Sequence, residues 1–180
     1  MPFYRSVDFK RLGMQGSVAF DKIKTLIAEG DKSALLIYKI GLIEEVFEKR
    51  FLTDGNDVLE VYREWKPDIL LLDVTLPGKY GYSILKAIRE KMQSADTAII
   101  MAASLSDRGA FLDCLELGIQ GYIVKPFTHE EVSQRVLSYY QAINPERAAA
   151  ALALLDIVKT RAIEADTKAS TTGKSNEVKD

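Results

Sequence analysis

The chain has 180 residues, 47% of them hydrophobic, with a formal net charge of −2, enough for one domain with a real core plus extensions. The near balance of charge gives no global electrostatic reason to expect nucleic acid or an anionic membrane as partner, and no apolar run approaches the roughly 20 residues of a membrane helix. One cysteine, Cys114, and one histidine, His129, exclude an intramolecular disulfide and a His/Cys metal cage within one chain.

Residues 1–21 read as an extension lying on the domain or partly mobile. Gly13 and Gly16 interrupt any period, and Phe3, Tyr4, Phe9 and Phe20 are scattered. Its opening residues, MPFYRSVDFKR, lack an apolar core followed by a small-residue cleavage site, so the expected setting is a reducing cytoplasm. The segment from Ile23 to Ala28 reads as a strand, followed by the acidic turn Glu29, Gly30, Asp31. Leu36, Ile40, Ile43 and Phe47 recur at the spacing of one helix face. Arg50 to Leu52 is a short, weak strand, Asp54 and Gly55 signal a turn, and Val58, Leu59 and Tyr62 mark a second helix closed by Trp65, Lys66 and Pro67. Ile69 to Leu72 is an apolar run without a polar break, which fits a strand covered on both faces. Asp73 ends it, and Pro77 and Gly78 turn the chain.

Ile84, Leu85 and Ile88 mark a third helix, ending near Met92. Thr97 to Ala102 is a fourth strand and Ser104 to Asp107 a polar loop. Phe111, Leu112 and Leu115 give a fourth helix, stopped by Gly118, with Cys114 on its apolar side. Gly121 to Lys125 is a fifth strand, broken by Pro126. Thr128 and Glu131 form a capping box that opens a fifth helix running to about Ala142. Asn144 and Pro145 mark a boundary, after which the Ala- and Leu-rich segment 147–165 should be helical. Ala151, Leu155, Val158, Ala162 and Ala165 make a short heptad seam, too brief to specify a coiled coil and more often a helix packed on its own domain. From Lys168 onward nothing is available to bury, so disorder is expected.

Alternating strands and helices call for a parallel sheet with helices on both faces, wound in the flavodoxin-like order 2-1-3-4-5. The domain spans 22–142, with a C-terminal helix over 143–167 and a tail over 168–180. This topology brings Glu29, Asp31, Asp73, Ala103 and Lys125 to one sheet edge, where open α/β sheets bind ligands. A strand-end carboxylate, acidic oxygens for a divalent cation and a lysine to pair with a phosphoryl oxygen suit an acyl phosphate.

The segments 66–73, 76–81 and 121–127, together with the separation of Asp73 and Lys125, resemble the three hallmark stretches of the receiver domain of bacterial response regulators. The resemblance covers about residues 22–142. It implies that Asp73 accepts a phosphoryl group from a histidine kinase or phosphotransfer protein, and that Lys125 senses it. It also implies a cis bond before Pro126, and a magnesium site from Glu29, Asp31, Asp73 and the backbone of Thr75. Two positions depart from the family. Gly30 stands where the second acid of the turn is a direct metal ligand, so magnesium binding is expected to be weak or absent, and Gly30→Asp is expected to tighten it. Ala103 stands where a Thr or Ser hydroxyl contacts the phosphoryl group. Ser104 is next door, but neighbouring strand positions point to opposite faces. The aromatic that follows the hydroxyl's motion is present as Tyr122.

An atypical phosphorylatable receiver is therefore the leading reading, with no enzymatic activity. The alternative is a pseudo-receiver that docks partners without phosphotransfer. A haloacid-dehalogenase-type phosphatase is the remote alternative, since that family wants a second Asp where Thr75 stands. The stretch after Ala142 is too short for a helix-turn-helix unit with its own core. Output is thus expected through a protein partner or self-association.

Overall fold

The computed structural model describes residues 20–104 and 109–173. Expectations for residues 1–19 of the extension, 105–107 of the polar loop and 174–180 of the tail lie outside the described residues. The strands are β1 (Ile23–Ala28), β2 (Phe47–Leu52), β3 (Ile69–Asp73), β4 (Ala98–Ala103) and β5 (Gly121–Val124). The helices are α1 (Lys32–Gly41), α2 (Val58–Trp65), α3 (Gly81–Lys86, continued by a π turn over Ala87–Lys91), α4 (Gly109–Glu116), α5 (His129–Tyr140) and α6 (Pro145–Gly173). All strand pairs are parallel, in the order β2-β1-β3-β4-β5, the flavodoxin-like winding.

Strand periodicity sorts the core into two layers. Ile23, Ile27, Ile69, Leu71, Ala98, Ile100 and Ile123 face α1, α5 and α6. Leu26, Ala28, Leu70, Leu72, Ile99, Met101 and Ala103 face α2, α3 and α4. Each fully buried Leu or Ile contributes roughly 1.5–3 kcal/mol. The register Ala28↔Leu72, Asp73↔Ala102 and Ala103↔Val124 levels the strand ends, so the residues that follow them meet at one edge.

Several local readings change. In α1 the buried face is Ala34, Leu35, Tyr38 and Gly41, while Leu36 and Ile40 are 56% and 55% exposed. Phe47 belongs to β2, which starts three positions before Arg50. The helix carries two interleaved apolar stripes, and the close approach of α5 selects one. A Cβ on Gly41 would run into Val132 and the backbone of His129, and Ser133 donates its hydroxyl to the Gly41 carbonyl. In α4, Cys114 is buried, whereas Leu112 and Leu115 are exposed. Thr128 stands at the N-cap of α5 but makes no side-chain cap bond, so the capping box does not form.

Helix α6 runs through Gly173, beyond the point where composition predicts disorder. Asn144 Oδ1 accepts the amide of Arg147, and Pro145 takes the first helical position, where its missing N–H costs nothing. The Arg147 guanidinium grips Asp68 at 2.6 and 3.2 Å and donates to the Tyr140 hydroxyl and the carbonyls of Asp21 and Lys22. Ala148, Ala151, Leu154 and Leu155 are buried in the α1/α5 core layer. Lys159 donates to the Glu130 carbonyl, so α6 returns antiparallel along α5. The seam divides there: Ala151 and Leu155 pack on their own domain, and Ala162 and Ala165 are exposed.

Candidate functional site

Asp73 is the last residue of β3 and is 4% exposed. Its Oδ1 accepts the amide of Thr75 at 3.1 Å and the Thr75 hydroxyl at 3.3 Å. The turn after the strand thus folds back onto the carboxylate and orients it. Lys125, one residue past β5, reaches Asp73 Oδ1 at 3.3 Å. It lies closer to Glu29, with Nζ 2.7 Å from each carboxylate oxygen. Only Oε1 meets hydrogen-bond geometry; Oε2 is in ion contact without a directed bond among the described residues. The Lys125–Pro126 peptide is cis.

Glu29 is nearly fully buried. Burial, reinforced by the neighbouring Asp73 carboxylate, pushes its carboxyl up to about 7, against the opposing pull of Lys125 and of the Asp31 amide. The cluster is thus two carboxylates sharing one ammonium, in a place where desolvation makes each charge costly.

Asp31 does not join the cluster. It is exposed, and its Oδ1 accepts the Ala34 amide at 2.8 Å as the N-cap of α1. Its own amide donates to Glu29 Oε1 at 2.9 Å. Gly30 is held by tertiary contact rather than by its own backbone. A Cβ there would fall 2.6 Å from Cδ and 3.1 Å from Cγ of Pro77. Any side chain at this position, the acid of Gly30→Asp included, meets the Pro77 ring. Among the described residues no group of three or more His, Cys, Asp or Glu side chains could hold a metal ion. Glu29, Asp73 and the backbone after it offer fewer oxygens than a full octahedral shell, the rest of which magnesium ordinarily fills with water.

On the opposite face of the sheet, Ala103 closes β4, buried and without a donor side chain, and Ser104 follows as an exposed residue. Tyr122 is half-buried in β5, its hydroxyl inside the protein and its ring edge-on to Phe111 at 4.9 Å. The structure therefore brings Glu29, Asp73, Thr75 and Lys125 together, sends Asp31 to a helix cap, and leaves Ala103 and Tyr122 on the far side.

Two residues that bear on the site escaped the sequence reading. Pro77 reads in the sequence only as a turn breaker, and nothing local signals its approach to Gly30. Tyr38, on the buried face of α1, packs its ring against Phe127 at 5.0 Å, and its hydroxyl has no hydrogen-bond partner among the described residues. The cap at Asp31 was legible as an acid immediately before a helical segment.

Known proteins resemble this chain in sequence and fold. The model of the response regulator receiver domain matches residues 25–137. A response regulator from Chloroflexus aurantiacus is 28% identical, with 67% of this chain and 98% of that one covered at a TM-score of 0.60. The beryllofluoride-activated receiver domain of Klebsiella pneumoniae RstA is also 28% identical, covering 66% and 98% at a TM-score of 0.55. A CheY-like receiver protein from Methanospirillum hungatei, at 19% identity, shares the fold, covering 70% and 99% at a TM-score of 0.63.

Proposed function

We propose, for this chain that belongs to the response regulator receiver domain family, an atypical phosphorelay receiver in which Asp73 is the phosphoacceptor and output runs through protein–protein contact. The family consists of signalling modules of two-component systems, which interact with histidine kinases or phosphotransfer proteins and typically use magnesium. The single observation that supports the reading most is the Asp73–Lys125 contact at the level strand ends, with Thr75 orienting the carboxylate. The carboxylate attacks the phosphorus of a phosphohistidine. A P–O bond to Asp73 forms as the P–N bond breaks, and the histidine leaves with the electron pair. Lys125 turns to a phosphoryl oxygen, a charge-assisted bond to a group bearing about two negative charges.

Magnesium is proposed to bind weakly, because Gly30 offers no oxygen, Asp31 caps α1 and Lys125 already neutralises Glu29. The same pairing supports the second reading, a pseudo-receiver whose site is charge-satisfied and which serves as a docking surface. Among the described residues no helix is long and apolar enough to cross a membrane. The test is incubation with a small acyl-phosphate donor and magnesium, followed by mass spectrometry. One phosphoryl gain that maps to Asp73 and vanishes in Asp73→Asn supports the receiver. An unmodified chain, at donor concentrations that label a competent receiver fully, favours the docking module.

A further inference from the structure

We propose that Tyr38 is a positioning residue of this site, whose hydroxyl becomes the hydrogen-bond donor to Glu29 when Lys125 turns to a phosphoryl group on Asp73. The inference rests on the reading of Asp73 as phosphoacceptor and adds a residue of α1 to it.

The argument starts from two complementary groups in one layer. Tyr38 is 0% exposed, and its hydroxyl donates to nothing among the described residues. A buried hydroxyl left in this state is costly, and native proteins rarely keep one without a reason. Glu29 is 1% exposed, and its Oε2 accepts no directed hydrogen bond among the described residues. Glu29 and Asp73 follow Ile27 and Leu71 by two residues, which puts them on the face that α1 covers. Helix α1 begins at the site edge with the Asp31 cap, and Tyr38 lies two turns along it. Side chains on a helix lean toward its N-terminus, so the ring of Tyr38 leans back toward that edge. Its neighbour there is Phe127, two residues after Lys125. Burial pushes the ionisation of the phenol well up, and the charges of Glu29 and Asp73 add to it. It is thus a buried, neutral donor in the same layer as the two carboxylates.

Lys125 cannot serve two masters equally. At rest it sits 2.7 Å from Glu29 and 3.3 Å from Asp73. A phosphoryl group on Asp73 draws the ammonium outward and strips Glu29 of its cation. An uncompensated buried carboxylate is strongly unfavourable. A bond from Tyr38 relieves that cost together with that of its own idle hydroxyl. The resting state therefore carries a small standing penalty that the modified state removes.

A merely structural tyrosine would contribute equally in every state, and this separates the two roles. Urea unfolding of the full chain is to be measured for the wild type, Tyr38→Phe, Lys125→Met and the double variant. Tyr38→Phe should leave the unfolding constant unchanged or make the protein more stable in the wild-type background. It should raise the unfolding constant about tenfold or more in the Lys125→Met background, where Glu29 has lost its cation. The second arm is titration with beryllofluoride, a phosphoryl mimic, which should bind Tyr38→Phe about tenfold more weakly than wild type. Equal effects of Tyr38→Phe in both backgrounds, or unchanged beryllofluoride affinity, would overturn the proposal. Background-dependent coupling in a wild type that binds no beryllofluoride would instead overturn the phosphoacceptor reading, and with it the link between Tyr38 and phosphorylation.

Discussion

Restoring the missing acid of the turn takes two substitutions, not one. The Cβ of Gly30→Asp would stand 2.6 Å from Pro77 Cδ, where ordinary contact begins near 3.4 Å. The Pro77 turn has to retreat by most of an ångström, and the turn is tied down, since the Pro77 carbonyl accepts the Gly55 amide at 2.7 Å. Overpacking of this kind costs about 1–3 kcal/mol. Gly30→Asp alone should therefore destabilise by that amount and leave magnesium affinity almost unchanged. Pro77→Ala alone should cost no more than about 1 kcal/mol, chiefly through the freer unfolded chain. The double variant should recover about 1 kcal/mol or more relative to the sum of the singles, and only it should bind magnesium more tightly. Urea unfolding gives the cycle, and calorimetric titration with magnesium chloride gives the affinity. If Gly30→Asp by itself tightens magnesium binding without loss of stability, Pro77 does not guard the position and the reasoning fails.

Other perturbations follow from the same contacts. The Glu29 carboxyl rises from 4.5 to about 7, so between these values the native state holds a proton that the unfolded chain has lost. Stability should fall as pH rises through that window, by at most about 1.36 kcal/mol per unit for one group, and level off above it. Glu29→Gln should remove this slope in urea midpoints taken from pH 4 to 8, and an unchanged profile would count against it. Arg147→Ala breaks the grip on Asp68, whose two side chains are 30% and 24% exposed. Discounted for that exposure the loss should be about 1–2 kcal/mol, with faster hydrogen exchange over 148–155. Beryllofluoride with magnesium should barely shift the backbone resonances of Ala102 to Ser104 and Tyr122, because Ala103 has no hydroxyl to pull inward. Large shifts there, coupled to partner binding or dimerisation, would reveal a switch by another route.

The sheet and its edge were legible because they rest on short-range signals. Apolar strands, Gly and Pro punctuation and alternation with helices are all written locally, and they suffice to level Asp73 with Lys125. Failures fell where two local patterns compete or where tertiary contact decides. The residues Leu36, Ile40, Ile43 and Phe47 satisfy the helical period as well as Leu35, Tyr38 and Leu42 do. The choice belongs to α5, which needs Gly41 at the contact and so turns the second stripe inward. Asp31 could be a ligand or a cap by type alone, and the bond to the Ala34 amide decides for the cap. Gly30 reads as a lost ligand in sequence and as a clearance for Pro77 in space. Tyr38 is one more apolar position until its hydroxyl is found buried without a hydrogen-bond partner among the described residues.

Ala103, where the family carries a hydroxyl, lies on the sheet face opposite Glu29 and Asp73, and that separation governs where a modification can act. A ligand shifts an equilibrium only through contacts that differ between states. On the α4 side, Ala103 offers no donor and the Tyr122 hydroxyl is already inside the protein, so on the proposed reading little there depends on the charge at Asp73. On the α1 side, Lys125 has two acidic partners to choose between, and the next residues but one, Phe127 and the start of α5, pack on Tyr38 and Gly41. Helix α6 is laid on that same α5, tied by Lys159 to Glu130 at its first turn. On the proposed reading, the free energy released when Lys125 changes partner is delivered to α1, α5 and the helix packed on them. The element whose position the modification can bias is then α6, which is exposed from Ala162 to Ala165, beyond the contact of Lys159 with the start of α5.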